Sequence, residues 1–435
     1  MQPLSPLDGR YAKQVDALRP FFSEEALMRA RVEIEVRYFI AVSNLDGVQE
    51  LKRVSRAQEK ALYSLFENFN DRAYERIKEI EKVTKHDVKA VEYYIKERGK
   101  KIQGLQDSLE FIHFGLTSED VNNLAYGLLI HRALRLIIQP LLAAFLRDLK
   151  KLATATRNIR LLSLTHGQPA TPTTLGKEMM VFAARLSRQF DSWKSFKMQG
   201  KLGGAVGNFS AHRAAYPDIN WESFRVKFVR SLGLIPLEYT TQINPHDDLA
   251  ELSHILCRMN IILIGLSRDM WMYISRGVFR QKVIKREVGS SAMPHKVNPI
   301  DFENAEGNFG LSNALFSHFA EKLPISRLQR DLSDSTVQRN IGVAFGYHLL
   351  ALQSLTKGLG KIDVDRRKIK QELDDHPEVV AEAIQMILRK HGVSGAYEKL
   401  KALTRGEKVT KESLRQFIST LEISKGEKER LQKIL

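Results

Sequence analysis

The sequence predicts an all-α fold, and three observations carry that prediction. Proline is absent between Pro20 and Pro140, Pro172 and Pro217, Pro245 and Pro294, and Pro324 and Pro377. The runs left between them are rich in Leu, Ala, Glu, Lys and Arg, which favour helix. Within them apolar residues recur at steps of three and four, while period-two stretches are scarce.

In chain order, Leu124, Leu128, Leu134, Ile138, Leu142, Phe145, Leu149 and Leu152 predict a long helix. Pro140 kinks it, because proline removes an amide donor and crowds the preceding turn. Leu249, Leu252, Leu256, Met259, Leu263, Leu266 and Met270 form the stripe of a second long helix. Ile255, Ile261, Ile262 and Ile264 make its other faces apolar, which predicts burial inside a bundle. A third helix runs from Val343 through Leu349, Leu352, Leu355 and Leu359. Glycines from Gly99 to Gly104 place a boundary near Leu105, and Gly358-Leu359-Gly360 places another near Lys361. The expected organisation is an N-terminal helical domain (1–105), a central helical bundle (106–360) and a short, charged C-terminal helical domain (361–435).

Composition narrows the function. At 435 residues, 43% hydrophobic and 27% charged, the chain has the make-up of a soluble globular protein. A single cysteine, Cys257, excludes a disulfide framework and reads as a small buried hydrophobe. The N-terminus lacks a secretory layout, and the apolar stretches around Ile137–Leu146 and Ile261–Leu266 are expected to be too short to cross a bilayer. A cytoplasmic enzyme without a membrane partner is the resulting expectation. The formal charge of +16 is spread and interleaved with acids, without a nucleic-acid-binding module, so solvated helix faces and an anionic substrate account for it.

The segments that carry chemistry lie far apart in sequence. Gly289-Ser290-Ser291-Ala292-Met293-Pro294-His295-Lys296-Val297-Asn298-Pro299 gathers hydroxyls, an ammonium group and an amide on one proline-bounded loop. Such donors suit a reaction in which negative charge builds on a substrate. Thr165-His166-Gly167-Gln168-Pro169 holds a histidine in a turn between two helical stretches, where it fits a general acid or base. Lys85-His86-Asp87 falls on a helical pattern, and His113 precedes Thr117-Ser118-Glu119-Asp120, which reads as a helix N-terminus. Gly203-Gly204-Ala205-Val206-Gly207 is only a weak phosphate-loop candidate, lacking the Lys-Ser/Thr that follows a P-loop. Arg327, Arg330 and Arg339, around Asp331 to Thr336, offer guanidinium forks for a phosphate or pair on a helix surface. Scattered histidines with no His-Glu-x-x-His pair give no sign of metal.

These segments, with Asp8-Gly9-Arg10-Tyr11, His86 to Tyr93, Thr240-Thr241-Gln242-Ile243 and Arg330 to Thr336, resemble the adenylosuccinate lyase family nearly end to end. The serine loop alone marks the wider fumarase/aspartase superfamily. The resemblance implies the three-domain superfamily fold with a central bundle of long helices, assembled as a homotetramer whose active sites are shared between subunits. It implies anti β-elimination of fumarate, without a cofactor, from two purine nucleotides: adenylosuccinate, giving AMP, and the succinylated aminoimidazole carboxamide ribotide. By the same resemblance Ser290 is the base, His166 the acid on the departing nitrogen, Lys296 and Asn298 the carbanion stabilisers, and Glu303 the residue orientating His166. Arg10, Tyr11, Arg330, Ser335, Thr336 and Arg339 match nucleotide and phosphate contacts. Thr117, Ser118, Gln242, Ser291 and Asn304 match contacts around the succinyl group and base, and Lys85, His86, Asp87 and His113 line the site. Lys85 departs from the Asn or Arg common in relatives, and the chain stops at Leu435 where many similar enzymes continue in a helical tail. Competing expectations are another fumarate-releasing lyase, of the argininosuccinate type, and a non-catalytic basic scaffold. The arginines near Ser335 disfavour the first, because that substrate has no phosphate to hold. The second leaves His166, Ser290, Lys296 and Asn298 without a purpose.

Overall fold

The computed structural model describes residues 2–284, 293, 296–404 and 409–433. Its helices fall into two compact units: Met1–Ala144, Arg188–Ile264 and Asn304–Ser354 form the first, and Phe145–Ser187, Gly265–Glu303 and Leu355–Leu435 the second.

The predicted long helices are present. Ser118–Ala133 continues through a π-helical turn, Leu134–Ile138, into Gln139–Ala155. The expected irregularity therefore sits in the turn before Pro140, where a wider turn relieves the clash of the proline ring. The central stripe is the helix Asp247–Ser275, and the third helix is Ile341–Gly360. Ser118–Ala155 and Asp247–Ser275 are in fact long and apolar enough, by length and composition, to cross a membrane. Buried Leu124, Phe145, Leu252, Leu256 and Met259 mark both instead as core helices. Burial of the central helix is not all-round as expected. Ile255 and Ile262 are buried, but Ile261 is 57% exposed, and Trp271 and Met272 are exposed further along.

In the first unit, Ser23 caps the helix Glu24–Ser43 by accepting from the Ala26 amide. That helix carries Tyr38 into an aromatic cluster with Phe224, Phe228 and His212. Between Asp247–Ser275, Ile300–Lys322 and Ile341–Gly360 lies a buried polar chain. His348 Nδ1 meets Asn260 Oδ1 at 2.8 Å, and the Asn260 amide donates to Asn313 at 2.8 Å. Cys257 is half-buried, with its thiol near Ser317 and its pKa raised by burial.

The second unit departs from an unbroken helical reading. Arg160–Thr165 and Gln168–Thr174 form an antiparallel hairpin, with Thr165 opposite Gln168 and a bulge between Leu161 and Ser163. A shorter antiparallel pair joins Phe279–Gln281 to Ile362–Val364. Its C-terminal helices bury Ile384, Leu388, Leu414, Ile418 and Leu431 as a separate apolar cluster.

Candidate active site

His166 and Gly167 are the two residues between the paired strands, and both hold left-handed backbone, φ 54° and 74°. That is a two-residue hairpin turn with positive φ at both positions. Glycine adopts it freely, but histidine is strained there. The turn exposes the imidazole at the hairpin tip, where it has no hydrogen-bond partner among the described residues. Lys85 (φ 53°) and His113 (φ 65°) share this strained conformation. Three of the candidates thus hold backbone that ordinary packing does not favour, a pattern that concentrates at functional sites.

Lys296 is exposed and Asn298 half-buried on the stretch leading into the helix Ile300–Lys322. The Gln281 amide anchors that stretch, donating to the Val297 carbonyl at 2.7 Å. Glu303 accepts from the Trp271 indole at 3.1 Å and makes no described hydrogen bond to His166. Ser290 and Ser291 lie outside the described residues. His166, Lys296, Asn298 and Glu303 all belong to the second unit.

The nucleotide and succinyl candidates, Ser291 apart, belong to the first unit. Lys85-His86-Asp87 proves to be the joint between two helices, not a mid-helix run. Lys85 ends Asp71–Thr84, and His86 caps Asp87–Gly99 by accepting the Lys89 amide on Nδ1 at 3.1 Å. The cap leaves the Nε2 side of the ring to face the Ser118 hydroxyl at 3.5 Å. Asp87 receives Arg31 at 2.8 Å and Arg339 at 3.5 Å. Burial pushes its carboxyl up, but the two guanidiniums and the Val88 amide outweigh burial and hold it below the usual range. His113 meets buried Glu35 at 2.5 Å. Burial lowers the imidazole pKa, yet the Glu35 charge overrides this and raises it.

Arg330 is the hub of the remainder. It donates to Gln242 Oε1 at 3.5 Å and lies 3.9 Å from both Glu119 and Asp334. The Ser335 amide donates to Asp334 at 2.6 Å. Arg327, by contrast, pairs with Asp331 at 3.1 Å on an exposed surface. Arg10 stacks over its own neighbour, Tyr11, at 5.8 Å. Among the described residues no hydrogen bond or ion pair joins Arg10, Tyr11, Lys85, Thr336 or Asn304 to the Arg330 cluster.

The glycine loop binds a carboxylate rather than a phosphate. Asp120 accepts from the Gly203 amide at 2.9 Å, the Gly204 amide at 3.1 Å and the Thr117 amide at 2.8 Å. Buried Lys201 meets the same carboxylate at 2.8 Å. Gly207 (φ 75°) passes so close to Thr240-Thr241 that a Cβ would fall 2.7 Å from the Thr241 carbonyl. Beside it, Gln242 donates to the Ala205 carbonyl at 2.9 Å. One loop therefore fixes both the Thr117-Ser118 turn and Gln242.

Glu35, Lys201 and His246, which sequence reasoning did not single out, pack against the candidate residues, as does Glu119, which it read only as part of a helix N-terminus. Glu119, His246 and Asp334 each bring a ligand-type atom within 4.8 Å of the others. The Gln338 amide already occupies His246 Nε2 at 2.9 Å, and Arg330 supplies the cation beside the two acids. Burial drives the His246 pKa down to about 4, helped by Arg330. Burial, and next the Asp334 charge, push Glu119 up to about 8 against the pull of Arg330 and Lys201. Glu119 therefore keeps a proton in the folded chain that the unfolded chain, near 4.5, has lost. Its contribution to stability is complete below pH 4.5 and disappears as pH rises through 8. Glu119→Gln should remove this slope, so the stability gap between variant and parent changes by up to about 1.4 kcal/mol per pH unit in that window. Denaturant midpoints across pH check this, and parallel curves contradict it.

Comparison with known proteins decides the family. Residues 9–310 match the family model described as Lyase, and residues 326–435 match the one described as Adenylosuccinate lyase C-terminal. The adenylosuccinate lyase of Legionella pneumophila (strain Corby) is 49% identical over 434 residues, covering 100% of this chain and 95% of that protein. The Escherichia coli (strain K12) adenylosuccinate lyase is 49% identical, covering 98% and 94%. The chain belongs to the adenylosuccinate lyase family. Solved structures add the fold: fumarate lyase from Mesorhizobium sp. BNC1 superposes with TM-score 0.76 at 18% identity, covering 96% of this chain and 93% of that one. The 3-carboxy-cis,cis-muconate lactonizing enzyme from Pseudomonas putida gives TM-score 0.75 at 20% identity, covering 96% and 92%. The all-α expectation thus holds as the fumarase/aspartase fold, and a member of the adenylosuccinate lyase family is a lyase, not a silent scaffold.

Proposed function

We propose that the chain performs its family's reaction with the residues named above. The activity is adenylosuccinate lyase: fumarate is eliminated from adenylosuccinate, leaving AMP, and from the succinylated aminoimidazole carboxamide ribotide. Ser290, as alkoxide, takes the proton from the carbon beside the carboxylate. The electrons left there spread into that carboxylate, where Lys296 and Asn298 meet them. The C–N bond then breaks and His166 protonates the departing nitrogen. Glu303 orientates His166, while Ser291, Thr117, Ser118, Gln242 and Asn304 hold the succinyl group and base. Arg10, Tyr11, Arg330, Ser335, Thr336 and Arg339 hold the nucleotide, and Lys85, His86, Asp87 and His113 line the site.

Identity of 49% across the whole chain carries the activity. The Arg330–Gln242–Ser118–His86 region, which offers a guanidinium, an amide, a hydroxyl and an imidazole, supports a substrate rich in oxygen acceptors. Ile261, Trp271 and Met272, large apolar side chains left exposed on the central helix, support packing against further copies in a homotetramer with shared active sites. The three-domain division at Leu105 and Lys361 and a cytoplasmic location belong to the same reading. Incubating the purified chain with adenylosuccinate should consume the succinylated purine, followed by absorbance, and release AMP and fumarate. An unchanged spectrum overturns the assignment, and an active monomer in dilute solution overturns the shared site.

A further inference from the structure

A cavity of 380 Å³ lies wholly within the second unit, away from the hairpin tip that carries His166. It opens where the base of the hairpin, at Arg160 and Pro172, faces the helix Arg366–Asp374 and the turn Pro377–Val380. Its floor is apolar: Ile159, Ile369, Val379 and Val380 are each less than a tenth exposed. Its rim is cationic, with Arg160, Arg366, Lys370 and Lys411 against a single acid, Asp374. Lys411 already engages that acid at 2.7 Å and holds its carboxyl below the usual range. Arg160, Arg366 and Lys370 form no ion pair among the described residues; Lys370 also acts on Asp374 from a distance, so one acid offsets only part of the charge of four cations.

Clustered cations repel one another, and the fold tolerates them most readily where an anion joins them. Guanidinium forks match phosphate oxygens with two parallel bonds, and an ammonium adds a point charge. Charge alone would suit inorganic phosphate, but the volume falls in the range of roughly 300–1,000 Å³ typical of organic ligands. The apolar floor gives a flat ring a surface to cover.

We propose that this cavity is a second anion site, taking a ring-bearing polyphosphate of the nucleoside triphosphate class. The ring lies on Ile159, Ile369 and Val380, and the phosphates meet Arg160, Arg366 and Lys370. None of these side chains belongs to the proposed catalytic or substrate-binding set, so occupancy and turnover are separable.

Equilibrium binding of ATP to the full-length enzyme, measured alongside inorganic tripolyphosphate, tests this. ATP should bind the parent, and Arg366→Ala/Lys370→Ala should weaken it at least about tenfold, about 1.4 kcal/mol, because two charge-assisted contacts to the phosphates are lost. Both substituted residues are exposed, and turnover of adenylosuccinate should be unchanged in the double variant. Tripolyphosphate should bind several-fold more weakly than ATP because it cannot use the apolar floor. Equal ATP binding by parent and double variant overturns the site, as does absence of ATP binding to the parent. Equal affinity for tripolyphosphate overturns the ring-bearing class.

Discussion

Ser290→Ala should lower kcat by roughly 10³–10⁴ while leaving substrate affinity nearly unchanged, the scale and pattern expected when a proton-transfer group acts only in the transition state. A hydroxyl is a poor base, so its alkoxide has to be stabilised by fixed donors in a site from which water is expelled. Lys296, six residues on, is the cation that the same loop supplies. Lys296→Met should therefore depress kcat as well, and the double variant should be little worse than Ser290→Ala, because residues acting as one unit are not additive. Rapid-quench turnover together with equilibrium binding of adenylosuccinate separates the two quantities. A Ser290→Ala enzyme within about tenfold of the parent kcat would reassign the base, since that loss is too small for general base catalysis.

The long helices were legible because their signal is local. Leu249 to Met270 repeats at helical spacing over many turns, and the helix Asp247–Ser275 follows it. Orientation was less legible: an apolar residue such as Ile261 has the same sequence signature whether it meets its own core or lies exposed. The hairpin around His166 was hidden because Pro169 and Pro172 interrupt its second strand and a bulge breaks the alternation of its first. His86 went unread as a cap because Ser, Thr, Asn and Asp are the residues expected there. Glu35, Lys201 and His246 left no trace because their partners are remote in sequence: His113 for Glu35, Asp120 for Lys201 and Gln338 for His246. A buried carboxylate or ammonium on a helical or glycine-rich run looks like solvated surface until its partner is found.

Asp120→Ala should be the most damaging single change to the fold. Asp120 and Lys201 are both 0% exposed and 2.8 Å apart, and the carboxylate also accepts the Thr117, Gly203 and Gly204 amides. Removing the carboxylate strands an ammonium whose remaining described bond is to the Gly204 carbonyl at 2.7 Å. Breaking one side of a buried pair costs about 3–5 kcal/mol, because the surviving charge has lost water without gaining a counter-charge. Replacing both partners, in Asp120→Ala/Lys201→Met, removes that stranded charge and should recover much of the stability, since apolar replacements of buried pairs are often neutral. Activity should not recover with it. The pair fixes the glycine loop, and through that loop Thr117-Ser118 and Gln242, so the double variant should fold well yet show a raised KM for adenylosuccinate. Denaturant midpoints and steady-state kinetics on the three proteins test both halves. If the double variant regained both stability and the parent KM, the pair would be packing alone, and the loop would reach its geometry without the charge at its centre.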